Sequence, residues 1–283
     1  MAVDNDTRAR ARILEALALT SARADLAAGR ARERWRSFMQ GLLTQALSAP
    51  ELEALTVRFY AVGPTTFAGS STYPWEERMF DEWLPSPPAH VLVTAAGSGR
   101  EARALLARDY TVDALEPVPA MAAACAAVPG IGEVAQATHE DLIRAVDGDR
   151  GPAVALARRR YDAVLLGWGA FTHVLSSTGQ ARLLGACDRL APTGPILLSF
   201  FARGGGPRRS SRAARTGAAL GHRLATDRRV LELDLDVGLA WNLGFTHACS
   251  EGEIRALGER LGRTTEWVAE PYGHAVLRSG QER

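Results

Sequence analysis

Apolar residues recur three and four positions apart over the first 60 residues, as at Ile13, Leu14 and Leu17 and again at Trp35, Phe38, Met39, Leu42 and Leu43. That spacing predicts amphipathic helices. Ser48 and Glu51 stand at the two ends of a Ser-x-x-Glu capping box ahead of another apolar helix. A looser stretch over 63–74 is rich in Gly, Ser, Thr and Pro. Positions 75, 79, 80, 83 and 84 again follow a helix, which Pro85, Pro87 and Pro88 end. From His90 the pattern changes. Short apolar runs at 91–93, 112–115, 133–135, 163–166 and 196–200 predict buried strands, and amphipathic stretches such as 101–106 and 178–190 lie between them. Strands alternating with helices imply a parallel sheet covered on both faces. A helix over about 251–261, opened by Ser250 and Glu253, and two strand-like runs at 264–268 and 275–278 close the chain. A second capping pattern is read at Ser177 and Gln180.

The segment 203–229 breaks this alternation. It holds a Gly204-Gly205-Gly206-Pro207 hinge and eight arginines. The simple reading is a solvated helical flap; the sharper one is a docking surface for an anionic acceptor or carrier.

Composition adds bounds rather than chemistry. The chain has 283 residues and a formal charge of +1, which gives no global pull toward nucleic acid or acidic membranes. All of its basic side chains, histidines aside, are arginines. Cys125, Cys187 and Cys249 are far apart and odd in number, so neither a metal spacing nor a disulfide framework is expected. No apolar run approaches the ~20 residues of a membrane span, and residues 1–6 lack the order of a signal peptide. A cytoplasmic protein is expected.

The candidate chemistry begins at Val91-Leu92-Val93-Thr94-Ala95-Ala96-Gly97-Ser98-Gly99-Arg100-Glu101, a strand running through a small-residue turn into a helix. Glycine lets a backbone approach a ligand closely, and free N–H groups at a helix start favour an anionic group. The second strand ends in Leu115-Glu116-Pro117. A carboxylate at the tip of the neighbouring strand can accept both hydroxyls of a ribose.

With these two elements the chain resembles the class I S-adenosylmethionine-dependent methyltransferases, over roughly 75–278. Gly97 and Gly99 match the family's V-L-D-x-G-x-G-x-G motif, while Val93 and Ala95 stand where it has Asp and Gly. Glu116 matches the acid ending strand two. Segments 137–142, 161–174, 190–198 and 245–250 resemble four further family motifs. The resemblance implies a doubly wound α/β fold: a mostly parallel seven-stranded sheet with an antiparallel terminal strand, plus N-terminal helices. It implies a helical cap or substrate region over 1–84 and a methyltransferase domain over 85–283, with the Arg-rich flap inserted at about 203–249.

The cofactor implied is S-adenosyl-L-methionine, leaving as S-adenosyl-L-homocysteine. Ala95, Gly97, Ser98 and Gly99 are expected under its methionine part, Glu116 and Pro117 at the ribose, and Thr138 and His139 at the adenine edge. Met121 and Phe171 would be apolar walls, with Trp168 and Gly169 beside the sulfonium. His173 and His247 are base candidates, since histidine titrates near neutrality. Tyr73 could cover the cofactor or bond an acceptor. The acceptor expected is a small molecule. The Asp/Asn-Pro-Pro-aromatic motif of base-nitrogen methylation is missing, which argues against nucleic acid. A homodimer is compatible with all of this. Two other readings stay open: a nicotinamide-dependent oxidoreductase, because Gly97–Ala102 also fits G-x-G-x-x-A, and a non-catalytic module that keeps the fold to bind a partner.

Overall fold

The computed structural model describes residues 3–62, 71–203, 211–225, 235–240 and 243–280, with backbone alone for 3–19. The glycine hinge at 204–207 and most of segment 63–74 lie outside the described residues. Helices α1 (Val3–Ala46), α2 (Ala49–Val62) and α3 (Pro74–Trp83) come first. Then follow β1 (His90–Thr94), α4 (Arg100–Leu106), β2 (Thr111–Leu115), α5 (Pro119–Ala126) and β3 (Val134–Ala135). Next are α6 (His139–Val146), α7 (Val154–Ala157), β4 (Ala163–Leu166), a 3-10 turn (Ala170–His173) and α8 (Ser177–Leu190). The rest comprises β5 (Ile196–Ser199), β6 (Phe201–Ala202), α9 (Arg212–Leu224), β7 (Val237–Ala240), β8 (Gly244–Cys249), α10 (Glu251–Arg260), β9 (Arg263–Val268) and β10 (His274–Ser279).

The chain divides into two compact units, Met1–Ala46 with Arg208–Arg228, and Leu47–Pro207 with Arg229–Arg283. The first is a helix pair. A Cβ built on Gly217 of α9 would lie 2.0 Å from the Phe38 carbonyl oxygen, and one on Gly41 of α1 would lie 2.0 Å from that of Ala214. The two backbones therefore approach to a distance that a larger residue at either position would prevent. Of the Arg-rich stretch, α9 belongs to this pair, while β7 and β8 belong to the second unit.

The second unit is built on a seven-stranded sheet of order β3-β2-β1-β4-β5-β10-β9. β1 to β5 are mutually parallel, and β10 runs antiparallel to both of its neighbours. This is the doubly wound α/β architecture that the resemblance implies. The period of two explains how it is covered. Leu92, Leu115, Val164, Leu166, Ile196 and Leu198 share one core with residues of α6, α8 and α10. Val91, Val93, Val112, Ala114, Leu165 and Leu197 share the other with α3, α4 and Tyr110. A three-stranded sheet, β6-β8-β7, was not expected from the sequence. The cap of α8 also differs from expectation: Ser176, not Ser177, is the capping residue and accepts the Gly179 N–H at 3.1 Å.

Arg263 fastens the turn before β5. Its guanidinium donates to the carbonyls of Ala191, Pro192, Gly194 and Leu277, and pairs with Asp188 at 2.6 Å. Arg263→Ala is expected to cost about 2–3 kcal/mol in a denaturant titration, because buried carbonyls lose their donor. A loss below about 0.5 kcal/mol, the ordinary scatter of surface changes, would contradict that role.

Candidate active site

At the carboxyl ends of β1, β2 and β4 a cavity of about 490 Å³ opens, within the roughly 300–1,000 Å³ of small-molecule sites. Ala95, Gly97, Ser98, Glu116, Pro117, Met121, Thr138, His139, Trp168, His173 and Tyr73 all line it. The other expected site residues do not. Gly99 caps α4 and faces Cys125 and Val128. Gly169 opens the 3-10 turn and donates its N–H to Ser199 Oγ at 2.8 Å. Phe171 is 0% exposed and belongs to the core on the α8 side, so it is packing rather than a cofactor wall. His247 is corrected in the same way: it is buried in β8, with Nδ1 3.1 Å from the Asp236 carbonyl oxygen and Nε2 3.5 Å from Glu253. It cannot reach a substrate in this cavity.

The small-residue turn and the acidic strand tip are joined directly. Glu116 accepts the Gly97 N–H at 2.8 Å and the Val118 N–H at 2.9 Å. Burial raises the Glu116 pKa, with these two N–H groups opposing it. Arg103 holds the other side of the turn by donating to the Ser98 carbonyl at 3.0 Å. Glu116 and Arg103 thus hold the turn from its two sides, and Val93 at the end of β1 is fully buried in the core. Gly97 has φ +55, and a Cβ there would have no atom within 4 Å, so the turn faces open cavity. Ala95 has a left-handed backbone, with φ 50. For a residue with a Cβ that conformation costs about 1–2 kcal/mol. Ala95→Gly should therefore stabilise the fold by roughly 0.5–1 kcal/mol after the entropy cost of glycine, read as a Tm higher by about 2 °C. A lower Tm would contradict it.

Below the turn lies a charged cluster that sequence reasoning missed. Arg100 donates to both oxygens of Glu76 at 2.6 Å and to Glu101 at 2.7 Å, and all three side chains are buried. Glu101 also accepts the Trp168 N–H at 3.0 Å, which ties α3, α4 and the end of β4 together. Burial works against the Arg100 charge, but its bonds to Glu76 and Glu101 outweigh that and raise its pKa. Burial raises Glu101. A charge pair immediately after a glycine turn, where burial is expected, was the available signal. Of the aromatic rings beside this cluster, Tyr73 and Trp168 line the cavity, and Tyr272 and Trp75 stack behind Trp168. Trp168 stacks on Tyr272 at 5.6 Å and Tyr272 on Trp75 at 5.1 Å, while Arg100 lies 5.1 Å from the Tyr73 ring centre. Among the described residues the buried Tyr272 hydroxyl has no hydrogen-bond partner.

Of the histidines, His139 Nε2 is 3.2 Å from Thr94 Oγ1, and burial lowers its pKa to about 4. His173 Nδ1 lies 2.9 Å from the Phe245 carbonyl oxygen, which can only accept. The Nδ1 therefore carries the proton, and the bare Nε2 accepts the Tyr60 hydroxyl at 3.2 Å. Burial lowers the His173 pKa and raises Tyr60 to about 12. Tyr60 of α2 is a further cavity residue that the sequence did not single out. Thr138 is spent as a cap: its hydroxyl exchanges hydrogen bonds with Asp141 at 2.7 and 3.1 Å, which leaves it little capacity to read an adenine.

Among the described residues no group of three or more His, Cys, Asp or Glu side chains could hold a metal ion. No helix among them is long and apolar enough to cross a membrane. No family model and no curated protein sequence matches the chain. Solved structures do resemble it. The sugar N-methyltransferase KedS8 of Streptoalloteichus is 18% identical at a TM-score of 0.48, covering 73% of this chain and 86% of its own. The amino pentose methyltransferase CalS10 of Micromonospora echinaspora is 18% identical at 0.47, covering 74% and 92%. Magnesium protoporphyrin IX methyltransferase of Synechocystis is 14% identical at 0.47, covering 81% and 97%. At such identities the roles of individual residues rest on the geometry of this chain alone.

Proposed function

We propose that the protein is a methyltransferase that uses S-adenosyl-L-methionine to methylate a small molecule. The observation that carries this reading is the cavity wall shared by the Gly97 turn and the Glu116 carboxylate, which are 2.8 Å apart. Charge sign then separates the candidate ligands. At this end of the cavity Glu101 and Glu116 line the wall with one guanidinium, that of Arg100, which is already bonded to Glu101 and to Glu76 behind it, so the wall is formally negative. A pyrophosphate would meet repulsion there, whereas a ligand with a sulfonium and an ammonium meets attraction. That disfavours the nicotinamide dinucleotides.

The residues present fit S-adenosylmethionine: open space over Gly97, a strand-tip carboxylate for two ribose hydroxyls, and the half-buried Trp168 whose face attracts a cation by about 0.5–2 kcal/mol. When bound, that cofactor supplies an electrophilic methyl carbon. The protein's part is to align the nucleophile, which can contribute several kcal/mol. His173 is neutral near pH 7, and its bare Nε2 can draw a proton through the Tyr60 hydroxyl. Tyr60 and His173 together are the proposed proton acceptor where the nucleophile must lose one. Tyr73, 40% exposed, is proposed to cover the cofactor. Cys125, Cys187 and Cys249 are unpaired and buried, which suits a reducing cytoplasm.

Calorimetric titration with S-adenosylhomocysteine and with NADH tests the reading. Binding of the thioether nucleoside alone is expected. Binding of NADH alone would replace this proposal with an oxidoreductase.

A further inference from the structure

The end of the cavity formed by α2 narrows the class of acceptor. Ala49, Glu53, Val57 and Tyr60 lie three and four positions apart, share one face of α2, and line the cavity. Ile143, Val174 and Leu183 line it as well, so this end is largely apolar. Two carboxylates and one guanidinium enter it, from Glu53, Glu140 and Arg182. Arg182 is committed to Glu140 through two bonds of 3.0 and 3.1 Å. Glu53 accepts only the Leu175 N–H, at 2.9 Å, and among the described residues no arginine pairs with it. The other titratable groups offer it no positive charge: His173 of the 3-10 turn and His139 of α6 are held neutral by burial, and Tyr60 keeps its proton.

We propose that the methyl acceptor is an amine, whose ammonium group is held against the Glu53 carboxylate while its apolar body fills the α2 end of the cavity. To be methylated, that nitrogen would first give a proton through Tyr60 to Nε2 of His173, which frees the nitrogen lone pair to bond the methyl carbon as the carbon–sulfur bond breaks. The word acceptor rests on the methyl-transfer reading; the binding of an amine does not. A carboxylate taken from water into apolar surroundings is unstable until a cation joins it. Glu140 already has such a cation and Glu53 does not. An acidic ligand would add like charge, and an alcohol would leave the carboxylate unbalanced. Burial pushes Glu53 up to about 7, with the Leu175 N–H opposing and Glu140 adding to the rise. Below that pH the carboxyl is neutral and attraction for an ammonium fades; above it the full charge is present.

The test uses the full chain and three probes of one shape: 2-phenylethylamine, 2-phenylethanol and 3-phenylpropionate. Each is titrated by calorimetry at about pH 6 and about pH 8.5, on the wild type and on Glu53→Gln, with and without S-adenosylhomocysteine. Only the amine should bind. Its affinity should rise about tenfold between those pH values, as the ionised share of a group titrating near 7 grows. Glu53→Gln, whose amide oxygen can still accept the Leu175 N–H, should lose both the binding and the pH dependence. If that variant does not melt as the wild type does, Glu53→Asp takes its place and should weaken amine binding at least several-fold. Equal binding of the alcohol, preference for the acid, no binding of any probe, or amine binding untouched by the substitution would each overturn the proposal. The arms with S-adenosylhomocysteine read the methyl-transfer hypothesis separately: a protein that binds the amine but never the nucleoside keeps this site and loses that function.

Discussion

An Arg100→Met variant is expected to lose about 3–5 kcal/mol of stability at neutral pH, because it leaves two carboxylates buried side by side with no cation. Glu76 and Glu101 are both buried, and each takes its short hydrogen bonds from the same guanidinium. Methionine replaces the stem but not the charge. The pH dependence carries the diagnosis. A carboxyl whose pKa is raised in the fold binds its proton more tightly there than in the unfolded chain, where it titrates near 4.3. The variant therefore loses stability as pH rises above about 4.3 toward its raised value, so its deficit is smaller near pH 5 than near pH 8. Arg100→Met with Glu101→Gln should recover part of the loss, since one buried charge is then gone and the amide oxygen can still accept the Trp168 N–H. Denaturant titrations at the two pH values measure all of this. A deficit under about 1 kcal/mol that does not change with pH would show that the cluster is solvated and that its negative charge does not reach the cavity.

The second large effect concerns ligand affinity. Glu116→Ala should weaken S-adenosylhomocysteine binding about 100-fold, or roughly 2.7 kcal/mol, as expected when ribose hydroxyls lose a charged acceptor worth about 1.5–3 kcal/mol per bond. The carboxylate also holds the N–H groups of Gly97 and Val118, so part of the loss comes through a looser turn. Glu116→Gln separates the two contributions. Its amide oxygen can keep one backbone bond, so the turn should stay closer to its wild-type form while ribose binding still falls. Unchanged affinity in both variants would remove Glu116 from the ribose.

Much of the fold was legible because burial leaves a local trace. Val91-Leu92-Val93 reads as a strand, since a strand covered on both faces is apolar throughout, and it is fully buried in β1. Glu253 reads as a cap partner three residues after Ser250, and it is one. Other elements leave little trace. α5 is mostly alanine, with Pro119, Met121 and Cys125, and presents no polar face to give a period. β6 has two residues, too few for any alternation, and exists through its pairing with β8 some 47 positions away.

The same contrast divides the site. Gly97 and Glu116 could be named from strand-end position. The pairing of Arg100 with Glu76 could not, because Glu76 is 24 residues from it and meets it only once α3 is docked. Tyr60 and His173 are 113 residues apart, and no local pattern joins them. Phe171 and His247 erred in the opposite direction. Each has the chemistry of a site residue, but the fold turns Phe171 into the core and gives His247 to a carbonyl oxygen and a glutamate.

The central claim is that one wall, made by the turn at 97 and the carboxylate at 116, receives an adenosine-bearing cofactor. A crystal structure of the protein soaked with S-adenosylhomocysteine tests it most directly. The account predicts both ribose hydroxyl oxygens within about 3 Å of the Glu116 carboxylate, with the amino-acid tail over Gly97. Density for the nucleoside outside this cavity, or inside it with the sugar turned away from Glu116, would contradict the claim.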